Sequence, residues 1–458
     1  MGRHQVKTVS AKVYLWGTVL GYVSWDEKRE IALFEYDPDF LKAPVEPSPL
    51  KIPKAEGVFS FPELSKTTFK GLPGLLCDSL PDKFGNALID VWLSMQGRKM
   101  DSFNPVERLC YVGERGMGAL EFKPIKFKGR VNDVPIEVDD MVGLASEVLS
   151  SRKKIKEHLK VGDKHLKESL TNLLVVGTSA GGARAKCIIA LNEKTGEILS
   201  GQIKTSKDYS YWLLKLDGVS NNKDKEITDP KGFGRIEYAY YLMAKDAEIE
   251  MTDSRLLEEN SRAHFMTKRF DRLEGGEKIH MQSLCAMAHY DFNLKGAYSY
   301  EQALDVIREV VTDNPKKALK QQFLRAIYNV IGRNQDDHTK NIAFLMDKLG
   351  NWSLSPAFDL TYSYNPKGEW TNSHQMSING KRENFILEDL LVLSKKADLK
   401  NPEALKLIKN MTEIFSNWKN YAKKAKVLKV HQDEIQKNLR LNLLSSSNSK
   451  KTVSKKKK

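Results

Sequence analysis

The stretch Gly332-Arg333-Asn334-Gln335-Asp336-Asp337-His338-Thr339-Lys340-Asn341 holds two carboxylates, an imidazole and side-chain amides within ten residues. Asp336 and Asn341 have the D-x-x-x-x-N spacing of a phosphotransfer loop. In such a loop the carboxylate orients an attacking hydroxyl and accepts its proton, while the amide oxygen binds Mg²⁺. Eighteen residues after Asn341, Pro356-Ala357-Phe358-Asp359 offers a second carboxylate, suited to holding the same ion against phosphates. The spacing alone arises often by chance. The same residues also suit a polar turn after a helix, with Asp336 or Asp337 as an N-cap. The downstream Phe-Asp favours the chemical reading.

Three further elements suit the same chemistry. Gly177-Thr178-Ser179-Ala180-Gly181-Gly182-Ala183-Arg184-Ala185-Lys186 is rich in small residues. Successive amides there could form an anion nest, although neither standard phosphate-loop pattern is present, and a flexible hairpin turn is the bland alternative. Lys215 lies inside the apolar run Trp212-Leu213-Leu214-Lys215-Leu216. A lysine in such a run needs a partner, and Glu237 on the next predicted helix is the candidate; an edge-strand lysine facing solvent is the alternative. Phe265-Met266-Thr267-Lys268-Arg269-Phe270-Asp271-Arg272 could give adenine an apolar slot through Met266 and Phe270. It could equally be a surface strand end with local ion pairs. Gly113-Glu114-Arg115-Gly116-Met117-Gly118 reads as a structural turn, because no matching chemistry lies near it in sequence.

The elements that must position these groups follow from periodicity. Residues 11–36 alternate as β-hairpins, broken at Trp16-Gly17-Thr18 and near Asp26-Glu27. Four prolines between 43 and 53 exclude a helix there. Helical spacing is expected from Asn86 to Met95, over 141–150, from Ile236 to Ala247, over 302–331, and in several pieces between 385 and 440. Cys187–Leu191 and Tyr211–Leu214 read as strands. Strands come early and helices late, which is an α+β pattern with a β-rich N-terminal part and a mainly helical C-terminal lobe.

The order T-S-A-G-G-A-R-A-K, W-L-L-K, K-R-F-D-R, D-D-H-T-K-N and S-P-A-F-D-L resembles the HipA family of bacterial serine/threonine kinases, the toxins of HipBA-type toxin–antitoxin modules. Tyr14–Gly21, Gly71–Asp82 and Val112–Leu120 resemble the N-terminal part of that family. The resemblance extends over about residues 10–420. It implies a two-lobed protein-kinase-like fold, with a β-rich subdomain over 1–125, a connecting segment over 126–165, a nucleotide-binding N-lobe-like region over 166–275 and a helical catalytic lobe over 276–444. A disordered Lys-rich tail is expected over 445–458.

The same resemblance implies ATP and Mg²⁺ as cofactors. Asp336 would be the base, and Asn341 and Asp359 the metal ligands. Ser179, Ala180, Gly181, Gly182, Ala183, Lys215, Lys268, Phe270 and His338 would bind nucleotide, with Glu237 orienting Lys215. Ser179 would be an inhibitory autophosphorylation site, because a dianion on a phosphate-binding loop repels ATP. Relatives often carry Gly after the base, whereas this chain has Asp337, a second carboxylate that could alter Mg²⁺ binding or raise a neighbour's pKa. The implied partners are a HipB-like helix-turn-helix antitoxin, operator DNA mainly through that antitoxin, and a protein substrate such as an aminoacyl-tRNA synthetase.

The chain has 458 residues and a net charge of +14. The positive charge favours polyanions but identifies none. A non-catalytic co-repressor and a small-molecule phosphotransferase are the rival functions. With no apolar stretch of membrane-spanning length, no N-terminal signal core and four scattered cysteines, the expectation is a cytoplasmic protein without membrane attachment, disulfide framework or zinc site.

Overall fold

Strand β1 (Ser10–Leu15) buries every second residue, Ala11, Val13 and Leu15, as a half-buried strand must. It turns at Trp16-Gly17, both at positive φ, into β2 (Thr18–Asp26). With β3 (Ile31–Tyr36), β4 (Val58–Phe59) and β5 (Leu120–Pro124) it forms a sheet in the order β4-β3-β2-β1-β5. The hairpins expected over 11–36 are therefore present, and the Pro-rich stretch 43–53 carries neither helix nor strand. Helix α1 (Pro105–Val112) starts with a capping box between Asn104 and Glu107 and with proline at its first position. This computed structural model describes residues 10–81, 86, 89, 103–125, 186–201, 204–218, 232–259 and 262–444. Most of the helix expected at 86–95, all of that at 141–150, the loop residues Ser179, Ala180, Gly181, Gly182 and Ala183, and the tail from 445 lie outside the described residues.

Contacts divide the chain into two units. The first comprises Met1–Pro230, Met266–Asp291 and Leu345–Gly350, and the second Lys231–Phe265, Phe292–Phe344 and Asn351–Lys458.

In the first unit a second sheet runs in the order β7 (Ile198–Ser200), β6 (Lys186–Asn192), β8 (Tyr209–Lys215). β6 pairs antiparallel with β8, with Lys186 opposite Lys215. The turn following the strand Arg262–Lys268 joins β8 through Arg269 N–H to the Tyr211 carbonyl, 2.8 Å. Just beyond, Arg269, Asp271 and Arg272 form a buried cluster, with Asp271 carboxylate oxygen 2.6 Å from Arg269 and 2.9 Å from Arg272. This corrects the surface-strand expectation: the three side chains are 1, 0 and 5 % exposed. They close on the glycine-rich turn, where Asp271 accepts from Gly118 N–H (2.7 Å) and Arg272 donates to the carbonyls of Gly116 (2.8 Å) and Gly118 (2.9 Å). The turn at 113–118 is thus structural, as its sequence suggested. Cys77, Cys187 and Cys285 are buried in this unit, Cys110 is half-buried, and all four are free thiols. Burial pushes the thiols of Cys110 and Cys187 up to about 12.

The second unit is mainly helical. Its helices are α2 (Phe233–Asp246), α3 (Tyr300–Val310), α4 (Pro315–Gly332), α5 (Leu387–Lys396), α6 (Asn401–Ser416), α7 (Trp418–Lys424) and α8 (Lys429–Asn438). The region 302–331, expected as helical, is two helices. Asn314 adopts a left-handed conformation, caps Lys317 N–H through its side chain, and precedes Pro315 at the first position of α4. Tyr240 of α2, Tyr328 of α4, Phe415 of α6 and Trp418 of α7 meet with ring centroids 4.8–6.0 Å apart. Gly332 ends α4 where a Cβ would lie 2.5 Å from the Phe415 ring, so no larger residue fits. Among the described residues, no helix is long and apolar enough to cross a membrane.

Candidate active site

α4 delivers the chain to the Asp336 loop. Arg333 adopts a left-handed conformation and returns its N–H to Asn329, ending the helix. The loop then runs beside the segment carrying Asp359. Gln335 N–H donates to Ser363 O (3.2 Å) and Ser363 N–H to Arg333 O (3.0 Å). Asn334 Nδ2 bridges Asn329 Oδ1 (2.9 Å) and the Asp359 carbonyl (3.2 Å). Asp359 itself sits at φ +54°, in the left-handed region.

Asn341 Nδ2 donates to the Asp336 carbonyl at 2.8 Å. That bond uses one N–H of the amide and leaves Oδ1 without a hydrogen-bond partner among the described residues. Asn341 and Asp359 line one cavity of about 20 Å³, with Asn334, Asp337, His338 and Phe358 also on its wall. That volume holds about one water molecule. A carboxylate and an amide oxygen on a shared cavity fit a hard divalent cation whose remaining ligands are phosphates and water. Among the described residues, no three His, Cys, Asp or Glu side chains converge as a dedicated metal cage would require.

Asp336 is 43 % exposed by side chain, yet the surrounding protein desolvates its carboxyl and raises its pKa. His338 and the Trp370 N–H oppose that shift, while Asp359 and Asp337 add to it. Trp370 Nε1 donates to Asp336 Oδ1 at 2.7 Å, and His338 Nε2 lies 3.7 Å from the same oxygen. His338 Nδ1 is buried without a hydrogen-bond partner among the described residues. The Trp370 ring carries the Lys295 ammonium 5.1 Å from its centroid.

Asp337 is not a loose second carboxylate. Its Oδ2 accepts from Tyr300 OH and from His374 Nδ1, each at 2.7 Å, and its Oδ1 accepts from Gln375 N–H at 2.8 Å. Burial pushes its carboxyl up, but these donors reverse that and hold it below the usual range. Asp337 lies on the wall of the same cavity and adds to the rise in the Asp336 pKa, as a second carboxylate beside it should, while both of its own oxygens are taken by protein donors. Nor does Asp336 or Asp337 cap a helix: His338 precedes the short 3₁₀ turn Thr339–Asn341.

The HipA-like C-terminal domain matches residues 178–418, and the HipA N-terminal domain matches residues 11–123. The chain belongs to the HipA family. No curated protein matches this HipA-family chain. Among solved structures it is similar to HipA of Shewanella oneidensis MR-1 in a complex of HipA, HipB and operator DNA, with TM-score 0.62 and 15% identity over 95% of this chain and 96% of that one. That likeness shows a shared fold. The Helicobacter pylori proinflammatory kinase CtkA matches over 53% of this chain and 92% of its own, at 12% identity and TM-score 0.34, too low to carry an argument.

The second unit of this HipA-family chain brings Asp336, His338, Asn341 and Asp359 together. Glu237 belongs to the same unit and is buried on α2. Lys215 is a buried residue at the end of β8 in the first unit; Lys268 is exposed and Phe270 half-buried there. The residues that sequence reasoning missed are Tyr300, Trp370, His374 and Arg440. Nothing in their spacing marks them, since His374 lies 37 positions from Asp337 and 66 from Arg440.

Proposed function

We propose that this HipA-family chain is an ATP- and Mg²⁺-dependent serine/threonine protein kinase acting as a toxin. One observation carries the reading: Asp336, Asn341 and Asp359, in the order and spacing of a phosphotransfer loop, meet in one unit, the last two on a shared cavity. Asp336, with its raised pKa, is the group that accepts the proton of the substrate hydroxyl as its oxygen bonds to the γ-phosphorus and ADP leaves. Trp370 N–H holds one oxygen of that carboxylate and leaves the other to face the hydroxyl. Asn341 Oδ1 and Asp359 would hold Mg²⁺, which when bound supplies positive charge against the phosphates. His338 would close the nucleotide site.

From the family resemblance, Lys215 is assigned to the phosphates, Glu237 to its orientation, and Lys268 and Phe270 to the adenine. Ser179 to Ala183 are assigned to the phosphate loop, with Ser179 the self-inhibitory acceptor. The partner assigned is a HipB-like helix-turn-helix antitoxin that brings the complex to operator DNA. A soluble cellular protein is the substrate, an aminoacyl-tRNA synthetase being the class the resemblance suggests, and the cytoplasm is the compartment.

The test is transfer of ³²P from ATP to the chain and to proteins of a cell extract, with Mg²⁺ present. Asp336→Asn is expected to lower transfer by about 10²–10⁴-fold. Undiminished transfer removes Asp336 as the base. Transfer to an aminoglycoside or a lipid, with no protein labelled, favours a small-molecule phosphotransferase instead.

A further inference from the structure

We propose that Arg440 is a positioning residue that clamps the catalytic loop on both sides of Asp336, through His374 to Asp337 and through Glu383 to Gln335. The catalytic part of this inference rests on the kinase reading above; the mechanical part does not.

Arginine can only donate hydrogen bonds. Arg440 Nη1 lies 2.8 Å from His374 Nε2, so Nε2 is the acceptor and the imidazole proton sits on Nδ1. That proton points to Asp337 Oδ2 at 2.7 Å. His374 and Asp337 are 0 and 1 % exposed, so water cannot substitute for either bond. The first route is therefore a directed chain from guanidinium to imidazole to carboxylate.

The second route leaves the other end of the same guanidinium. Arg440 Nη2 donates to Glu383 Oε2 at 2.7 Å, and Glu383 Oε1 accepts from Gln335 Nε2 at 2.9 Å. Gln335 and Asp337 are the two neighbours of Asp336. Arg440 is itself fixed to the end of α4, its Nη1 donating to Val330 O at 2.9 Å and its backbone N–H to Ile331 O at 3.1 Å. Three acceptors, two on Nη1 and one on Nη2, suit a guanidinium fork. An ammonium, a point charge on a flexible stem, cannot hold them together. The residue that sets the loop thus lies over 100 positions after it, just beyond α8.

The test uses the full chain and two readouts. Hydrogen–deuterium exchange of residues 333–341 reports the clamp without any catalysis. Steady-state ³²P transfer reports its consequence. In Arg440→Ala the loop amides are expected to exchange at least about tenfold faster, and kcat to fall by about 10–100-fold while KM for MgATP stays within about twofold. Low-millimolar guanidinium ion is expected to restore both in part, whereas Arg440→Lys recovers neither. His374→Asn, which keeps a donor for Asp337 but loses the reach to Arg440, is expected to loosen the loop as well, and it carries the test if Arg440→Ala fails to fold. Loop exchange and kcat both unchanged in folded Arg440→Ala or His374→Asn overturn the proposal. A wild-type chain that transfers no phosphate refutes the kinase reading alone, and the exchange result then still decides the clamp.

Discussion

Asp271 in the first unit and Asp337 in the second are both buried carboxylates, and they are held by opposite means. Asp271, in the first unit, lies between two guanidiniums and one backbone N–H. Asp337, in the second, lies among a phenol, an imidazole and a backbone N–H. Burial raises both carboxyls and the donors lower both, Asp271 the further. The difference teaches what each is for. Full charges in the first unit lock a turn to a strand end and leave that turn no freedom. Polar donors in the second hold a loop with short, directional bonds beside Asp336, the proposed base.

The largest expected effect is at Asp271. Asp271→Asn leaves two buried guanidiniums facing each other, already crowded enough that burial and Arg269 pull Arg272 down to about 10. Unfolding by urea should show a loss of about 3–5 kcal/mol. A loss below about 1 kcal/mol would mean that solvent reaches the cluster and that the contrast with Asp337 is smaller than drawn.

Next comes pH. His280 is fully buried, donates to the Pro47 carbonyl at 3.0 Å, and is pulled by burial down to about 4. The unfolded chain binds a proton there near pH 6.5 and the folded chain does not, so stability falls as pH drops from about 6.5 to 4, by on the order of 3 kcal/mol. Below that window Asp271, with its depressed carboxyl, gives up its own contribution as pH falls beneath about 4. Urea midpoints at a series of pH values check the order, and His280→Asn should flatten the upper limb. A midpoint that does not change between pH 7 and 5 contradicts the buried neutral imidazole.

Asp337→Asn should cost less than Asp271→Asn, about 1–3 kcal/mol, because it unpairs neutral donors and not cations. Its mark should instead be a fall in kcat for phosphate transfer with KM for MgATP little changed. Equal destabilisation by the two substitutions would erase the comparison. The smallest effect is expected at Asp433, whose exposed pairs with Lys429 and Lys419 are screened by water; Asp433→Asn should leave the thermal midpoint unmoved.

What was legible in the sequence was chemistry compressed into short spans. Asp336, Asn341 and Asp359 could be singled out together because their types and spacing are compressed into short spans, and all three lie in the second unit. The strand hairpins could be read because alternation has a period of two. The break before Pro315 was also present in the sequence, as Asn-Pro, although apolar periodicity on both sides hid it. The donors to Asp337 could not be read. Tyr300, His374 and Gln375 reach it from separate segments, and an isolated buried histidine looks the same in sequence whether it orients a loop or fills a gap. The surface alternative for 269–272 failed for a related reason: charged residues at a strand end are usually solvated, and their burial here is made tolerable by the Asp271 ion pairs together with the distant backbone of Gly116 and Gly118.

The four cysteines all fall in the first unit, and the thiols of Cys110 and Cys187 ionise only in strong alkali. Alkylating reagents attack the thiolate, so these two sulfurs stay silent towards them until the surrounding structure opens. The chain therefore carries a native chemical clock for the opening of one half of itself, while the half that holds Asp336 contributes no sulfhydryl to the signal.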